Sequence, residues 1–108
     1  VTAGDIVTME FPFSDLSGSK RRPTMVLALA GRHDFIACQM TSFSDDAQAM
    51  SISPNDTLHR RLRGNGFARP NKLFTADRKL ILKTIDRLEG RALVNIPREA
   101  ASVITGNR

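Results

Sequence analysis

The strongest constraint on this chain is a pair of apolar runs, Thr24 to Ala30 and Asp34 to Met40, separated only by Gly31-Arg32-His33. Each is too short for an ordinary helix and long enough for a buried strand. A glycine-containing connection of this length suits an antiparallel hairpin. A hairpin buried on both faces must sit inside a larger sheet, and the rest of the sequence supplies its neighbours. Gly4 to Phe11 alternates apolar with polar residues, the period-2 signature of a strand with one face covered. Met50 to Ser53 alternates again and is closed by Pro54-Asn55-Asp56, and Phe67 to Phe74 reads as extended despite Pro70. Pro12 to Arg22, rich in Ser, Asp and Gly, reads as a long loop ending in cations, and Thr41 to Ala47 as a polar turn.

The C-terminal third is less uniform. Across Asp77 to Glu89, Leu80, Ile81, Leu82, Ile85 and Leu88 fit a helical stripe, while Lys83 to Leu88 also alternates; a short helical turn followed by a strand is the preferred reading. Asn95 before Ile96-Pro97 places a capping residue beside an early-helix proline. Ala100, Val103 and Ile104 then give one apolar face, so a terminal helix is expected to start there. The sum is an α+β, mainly β fold: a strongly curved sheet of five to seven short strands around a small barrel, with a C-terminal helix. At 108 residues, one domain spanning 1–108 is expected.

Charge narrows the partners. Residues 1–54 hold four Lys/Arg against six Asp/Glu, a balance of −2, whereas residues 55–108 hold twelve against five, a balance of +7. A basic second half points to a polyanion. Cys38 is the only cysteine, which excludes an intrachain disulfide and fits a reducing, cytoplasmic setting. No run approaches the roughly 18 apolar residues of a membrane span, so no membrane partner is expected. His33 and His59 have no ligand-spaced companions, Gly18-Ser19-Lys20 lacks the spacing of a phosphate-binding loop, and Asp45-Asp46 reads as a solvated acidic pair. No metal and no cofactor are expected.

Two features remain as candidate chemistry. Lys20-Arg21-Arg22-Pro23 puts three cations at the mouth of a buried strand. Pro23 biases Arg22 toward an extended backbone, which fixes where its guanidinium leaves the sheet. An arginine fork so placed suits a phosphate. Thr41-Ser42 places two hydroxyls where the run Phe35 to Met40 ends. Arg60, Arg61 and Arg63, beside the flexible Gly64-Asn65-Gly66, add a cluster of cations suited to a polyanion.

Taken together, Gly4-Asp5-Ile6-Val7, Phe11-Pro12-Phe13-Ser14-Asp15, Gly18-Ser19-Lys20-Arg21-Arg22-Pro23, Val26-Leu27 and Met40-Thr41-Ser42 strongly resemble the MazF/PemK family of bacterial toxins. Ala68-Arg69-Pro70-Asn71-Lys72-Leu73-Phe74-Thr75 resembles a later stretch of the family, so the likeness covers roughly residues 4–90. Thr24-Met25 and Phe67-Ala68 depart from the family's usual residues, at positions bearing on recognition more than on chemistry. The resemblance implies an SH3-like barrel, shared with gyrase-poisoning toxins, a homodimer and a cognate acidic antitoxin. It also implies sequence-selective, metal-independent cleavage of single-stranded RNA. Carried over by position, the catalytic arginine falls on Arg22 and the catalytic threonine on Thr41; Lys20, Arg21, Ser42, Arg60, Arg61, Arg63 and Arg69 are the candidate RNA contacts. The alternatives are a non-catalytic gyrase poison on the same barrel and an RNA-binding regulatory relative.

Overall fold

In the computed structural model, residues 1–12 and 19–106 are described; for positions 11, 12 and 19–21 the description covers the backbone alone. The expected hairpin forms: β2 (Ser19–Ala30) and β3 (Asp34–Thr41) pair antiparallel, with Ala30 opposite Asp34. Gly31 occupies the turn at φ 72°, a backbone conformation that glycine adopts without Cβ strain. β1 (Asp5–Pro12) lies on the other side of β2, β4 is Met50–Ile52, β5 is Gly66–Asp77 and β6 is Ile81–Arg87. They form one antiparallel sheet in the order β4-β5-β3-β2-β1-β6, so the hairpin predicted to be the most buried takes the middle.

Strand parity separates two apolar clusters. Ile6, Met25, Leu27, Cys38 and Met40 face one side, where Ile96 and Ala100 of the C-terminal helix join them. Val7, Met9, Val26, Phe35 and Ala37 face the other. The strand ladder is not closed into the expected barrel. β4 and β6 remain edges, and the chain beyond them meets at the isolated Thr57–Leu88 bridge, with Leu58 N–H donating to the Arg87 carbonyl at 2.8 Å and Glu89 N–H to the Asp56 carbonyl at 2.9 Å.

Two boundaries differ from the sequence reading. The expected loop from Pro12 to Arg22 is shorter than predicted, because β1 continues to Pro12 and β2 begins at Ser19, opposite it. Lys20, Arg21 and Arg22 therefore stand within a paired strand, where ladder hydrogen bonds outweigh the turn-forming composition. The rest of that expected loop, residues 13–18, lies outside the described residues. The helix, α1, spans Gly90–Thr105 and so begins before Asn95, with Pro97 inside it. Its buried face, Ala92, Ile96, Ala100 and Val103, repeats every three or four residues, and burying that stripe outweighs the hydrogen bond Pro97 denies the Leu93 carbonyl. The Asp77–Glu89 ambiguity resolves as preferred, into a 3₁₀ turn at Arg78–Leu80 followed by β6. No helix of the described residues is long and apolar enough to cross a membrane.

Candidate nucleic-acid interface and phosphate site

The site begins with a missing hydrogen bond. Pro23 has no N–H, and pairing between β2 and β3 stops beside it, at Thr24 opposite Gln39. Beyond this point β2 stays paired to β1, with Arg22 opposite Met9, while β3 stays paired to β5, with Thr41 opposite Phe67. The two strands are thus free to part. The register carried past Thr24 and Gln39 brings Arg22 level with Thr41 across the opening.

Parity also fixes which way these residues face. Met9 and Val26 belong to the second apolar cluster, so Arg22, opposite Met9 and alternate with Thr24 and Val26, shares their face. Thr41 alternates with Gln39 and Ala37 and lies on the same face. Arg69, opposite Gln39, joins them. Arg22, Thr41 and Arg69, far apart in sequence, therefore stand on one side of the sheet. Between them the fully buried Thr24 hydroxyl has no hydrogen-bond partner among the described residues.

Local bonds hold these groups. Thr41 Oγ1 donates to the Phe43 carbonyl at 3.0 Å and accepts from the Phe43 N–H at 3.4 Å, which turns the chain sharply at the strand end. Asp46 is not the solvated acid the sequence suggested. Its carboxylate accepts from Gln48 N–H at 2.9 Å and from Asn71 Nδ2 at 2.8 Å, and lies 4.0 Å from the Arg69 guanidinium. Those hydrogen bonds hold its carboxyl below the usual carboxylate range. The 43–49 turn is thereby tied to β5, and Arg69 is held beside a carboxylate.

A groove of about 400 Å³ opens where β2 and β3 part. Pro23, Met40 and Leu62 supply its apolar lining, and Thr41, Ser42 and Asn65 its polar side chains. Arg63 stands at it, whereas Arg61 lines a different cleft of about 210 Å³ with His59, Asp5 and Asp86. Arg60 is exposed at φ 53°. The arginine-rich segment is therefore divided between two surfaces. Lys20 and Arg21 occupy β2, and their side chains lie outside the description.

Sequence reasoning missed what holds that segment. Asp86, on β6 and buried, accepts from the backbone N–H groups of His59 at 2.9 Å, Arg61 at 2.8 Å and Arg87 at 2.8 Å. Burial opposes its ionisation, but these bonds overcome it and hold the carboxyl at about 2. Asp86 looked like one polar position in an alternating strand, and no local signal ties it to residues 59–61. Phe43, exposed beside Thr41, also passed unremarked because a lone aromatic in a polar turn has no periodicity. Among the described residues no three His, Cys, Asp or Glu side chains are grouped to hold a metal ion. Burial pushes the Cys38 thiol up to about 12, which removes it as a nucleophile.

An antiparallel sheet with one C-terminal helix, an arginine and a threonine on one face where its central hairpin parts, and a basic segment beside the gap define a small protein with cations gathered around that opening. Comparison with known proteins gives the family. The model of the PemK-like, MazF-like toxins of type II toxin-antitoxin systems matches residues 2–104, and the chain belongs to that family. No curated protein matches it. Among solved structures, an endoribonuclease in complex with its cognate antitoxin from a mycobacterial species superposes with a TM-score of 0.74 at 12% identity, covering 100% of this chain and 97% of the other. A MazE-MazF crystal structure (Form-III) from Deinococcus radiodurans gives 0.74 at 18% identity, covering 97% and 96%. The Mycobacterium tuberculosis toxin MazF-mt6 gives 0.68 at 13% identity, covering 94% and 96%. At such identities the likeness is one of fold.

Proposed function

We propose that this toxin-family protein is an endoribonuclease that cleaves single-stranded RNA by attack of the substrate's own 2′-hydroxyl, without a metal ion. The observation that carries the reading is the convergence of Arg22 and Thr41 on one sheet face, level across the gap where β2 and β3 part. Cleavage of this kind requires charge to be stabilised on the pentacoordinate phosphorus more strongly than on the ground-state phosphodiester. Arg22 supplies a planar fork of N–H donors for the non-bridging oxygens. A guanidinium carries N–H donors and no acceptor, so Arg22 protonates the departing 5′-oxygen, while the 2′-proton passes to solvent water, from which the arginine is reprotonated. Thr41 adds a hydrogen bond to the same phosphate, for which its hydroxyl proton must swing away from the Phe43 carbonyl. The products are a 2′,3′-cyclic phosphate and a 5′-hydroxyl.

The family supports a cognate antitoxin as partner, and two of the superposing structures are complexes with one. In this reading the antitoxin is acidic, the toxin is a homodimer, and the setting is the cytoplasm. Lys20, Arg21, Ser42, Arg63 and Arg69 contact RNA, with Arg60 and Arg61 engaging its more distant phosphates. The test is an oligonucleotide with hydrogen in place of the scissile 2′-hydroxyl. It is expected to bind with nearly unchanged affinity and to resist cleavage completely. Cleavage of that strand would mean that water attacks instead.

A further inference from the structure

Thr24 is a polar residue among the apolar side chains of the second cluster. It is fully buried on β2, and its hydroxyl has no hydrogen-bond partner among the described residues. A buried hydroxyl left unpaired costs stability, so it calls for an explanation in another state of the molecule. Fully buried, Thr24 cannot touch RNA itself and must act through a neighbour. The register fixes which neighbours can reach it. On its own face Thr24 stands opposite Val7 of β1 and Gln39 of β3, with Arg22 and Val26 two positions away along β2. Val7 and Val26 carry no polar side-chain atom. Gln39 lies directly across the ladder, within easy reach of a threonine, and the bond is not made. That leaves Arg22, about 7 Å along the strand, a distance an arginine side chain spans. The alternation between the two is unbroken, because the β1–β2 ladder runs without a register shift through Thr24 and Arg22.

We propose that Thr24 is a positioning residue for Arg22. When the guanidinium closes on the phosphate, one of its N–H groups donates to the Thr24 hydroxyl, which locks the fork while the other N–H groups face the phosphate oxygens. The hydroxyl thus lies one rung of the ladder behind Arg22 and Thr41, and finds its partner only when the site is engaged. The inference rests on the endoribonuclease reading for its kinetic consequence, and two readouts keep the claims apart. The first compares Thr24→Val, which removes the hydroxyl and keeps the branched shape, with Thr24→Ser, which keeps the hydroxyl and removes the methyl. Thr24→Val is expected to melt no lower than wild type, since an unpaired buried hydroxyl is gone. It should nevertheless lose roughly 10- to 100-fold in kcat at saturating RNA, the scale of one hydrogen bond to a charged group, with KM little changed. Thr24→Ser should melt lower and restore most of the rate. A wild-type kcat in Thr24→Val would overturn the proposal. So would a fall in its melting temperature, which would show the hydroxyl already bonded in the resting protein. The second readout needs no cleavage. On adding a strand with hydrogen at the scissile 2′ position, the NMR resonance of the Arg22 Nε–H, identified by its loss in Arg22→Ala, is expected to shift in wild type and Thr24→Ser and to shift much less in Thr24→Val. A protein that gave this pattern but left RNA uncut would retain the inference and lose the nuclease reading, whereas one that cut RNA equally well with and without the Thr24 hydroxyl would do the reverse.

Discussion

At Arg22 one neighbour does two jobs. Pro23 keeps the arginine in extended backbone and, by lacking an N–H, ends the ladder to β3 where Arg22 stands level with Thr41. Arg22→Ala is expected to slow cleavage about 10²- to 10³-fold, the scale of one lost transition-state donor, and excess RNA should not restore the rate. Single-turnover rates at saturating RNA measure this; a wild-type rate would remove Arg22 from the chemistry. Cys38 makes a complementary prediction. Fully buried, with its thiol pushed up to about 12, it should resist alkylation at pH 8 in the native protein and react only on unfolding, as mass spectrometry would show. Arg22 and Thr41 stood out as candidates in the sequence because their neighbours mark them, Pro23 after the first and the end of an apolar run before the second. Asp46 and Asp86 did not, since their partners lie about 25 residues away, Asn71 for the first and Arg61 for the second.

Among the elements, β6 controls the arginine-rich segment through Asp86. Its folded-state carboxyl, held at about 2, lies below the ordinary 3.8, so the stabilisation is complete above about pH 4 and lost as pH falls toward 2. The difference corresponds to about 2 kcal/mol. Wild-type protein should therefore lose more thermal stability than Asp86→Asn between pH 5 and 2.5, and parallel melting curves would contradict the assignment. The segment itself is split, Arg63 at the Thr41 groove and Arg61 at the Asp86 cleft. Replacing Arg60, Arg61 and Arg63 together should flatten the log-affinity against log-salt slope by roughly 2, about 0.7 per phosphate contact, while raising KM and sparing kcat. Arg63→Ala alone should account for more of the loss in affinity than Arg61→Ala. In α1, Ile96→Ala should cost about 2–5 kcal/mol, because Ile96 is buried against the first apolar cluster. The start of this helix was misread because Asn95-Ile96-Pro97 imitates a cap followed by an N1 proline, while the real signal, the stripe beginning at Ala92, is tertiary in origin. The β2–β3 hairpin was readable because its apolar runs and its turn agree.

Across the whole molecule, the basic second half of the sequence meets the first at the gap between β2 and β3: Arg22 and Thr41 come from residues 1–54, and Arg63 and Arg69 from residues 55–108. An acidic antitoxin segment that folds onto this surface should compete with RNA for the same cations, so displacement of labelled RNA on adding it is expected. The central claim is metal-independent cleavage by the 2′-hydroxyl at Arg22 and Thr41. Its most direct test is incubation of a long RNA with the purified protein in excess chelator, with analysis of both new ends. The account predicts cleavage at recurring sequences, with 2′,3′-cyclic phosphate and 5′-hydroxyl termini, at a rate unaffected by chelator and nearly abolished in Arg22→Ala. Intact RNA, a requirement for added metal, or 5′-phosphate ends would contradict it.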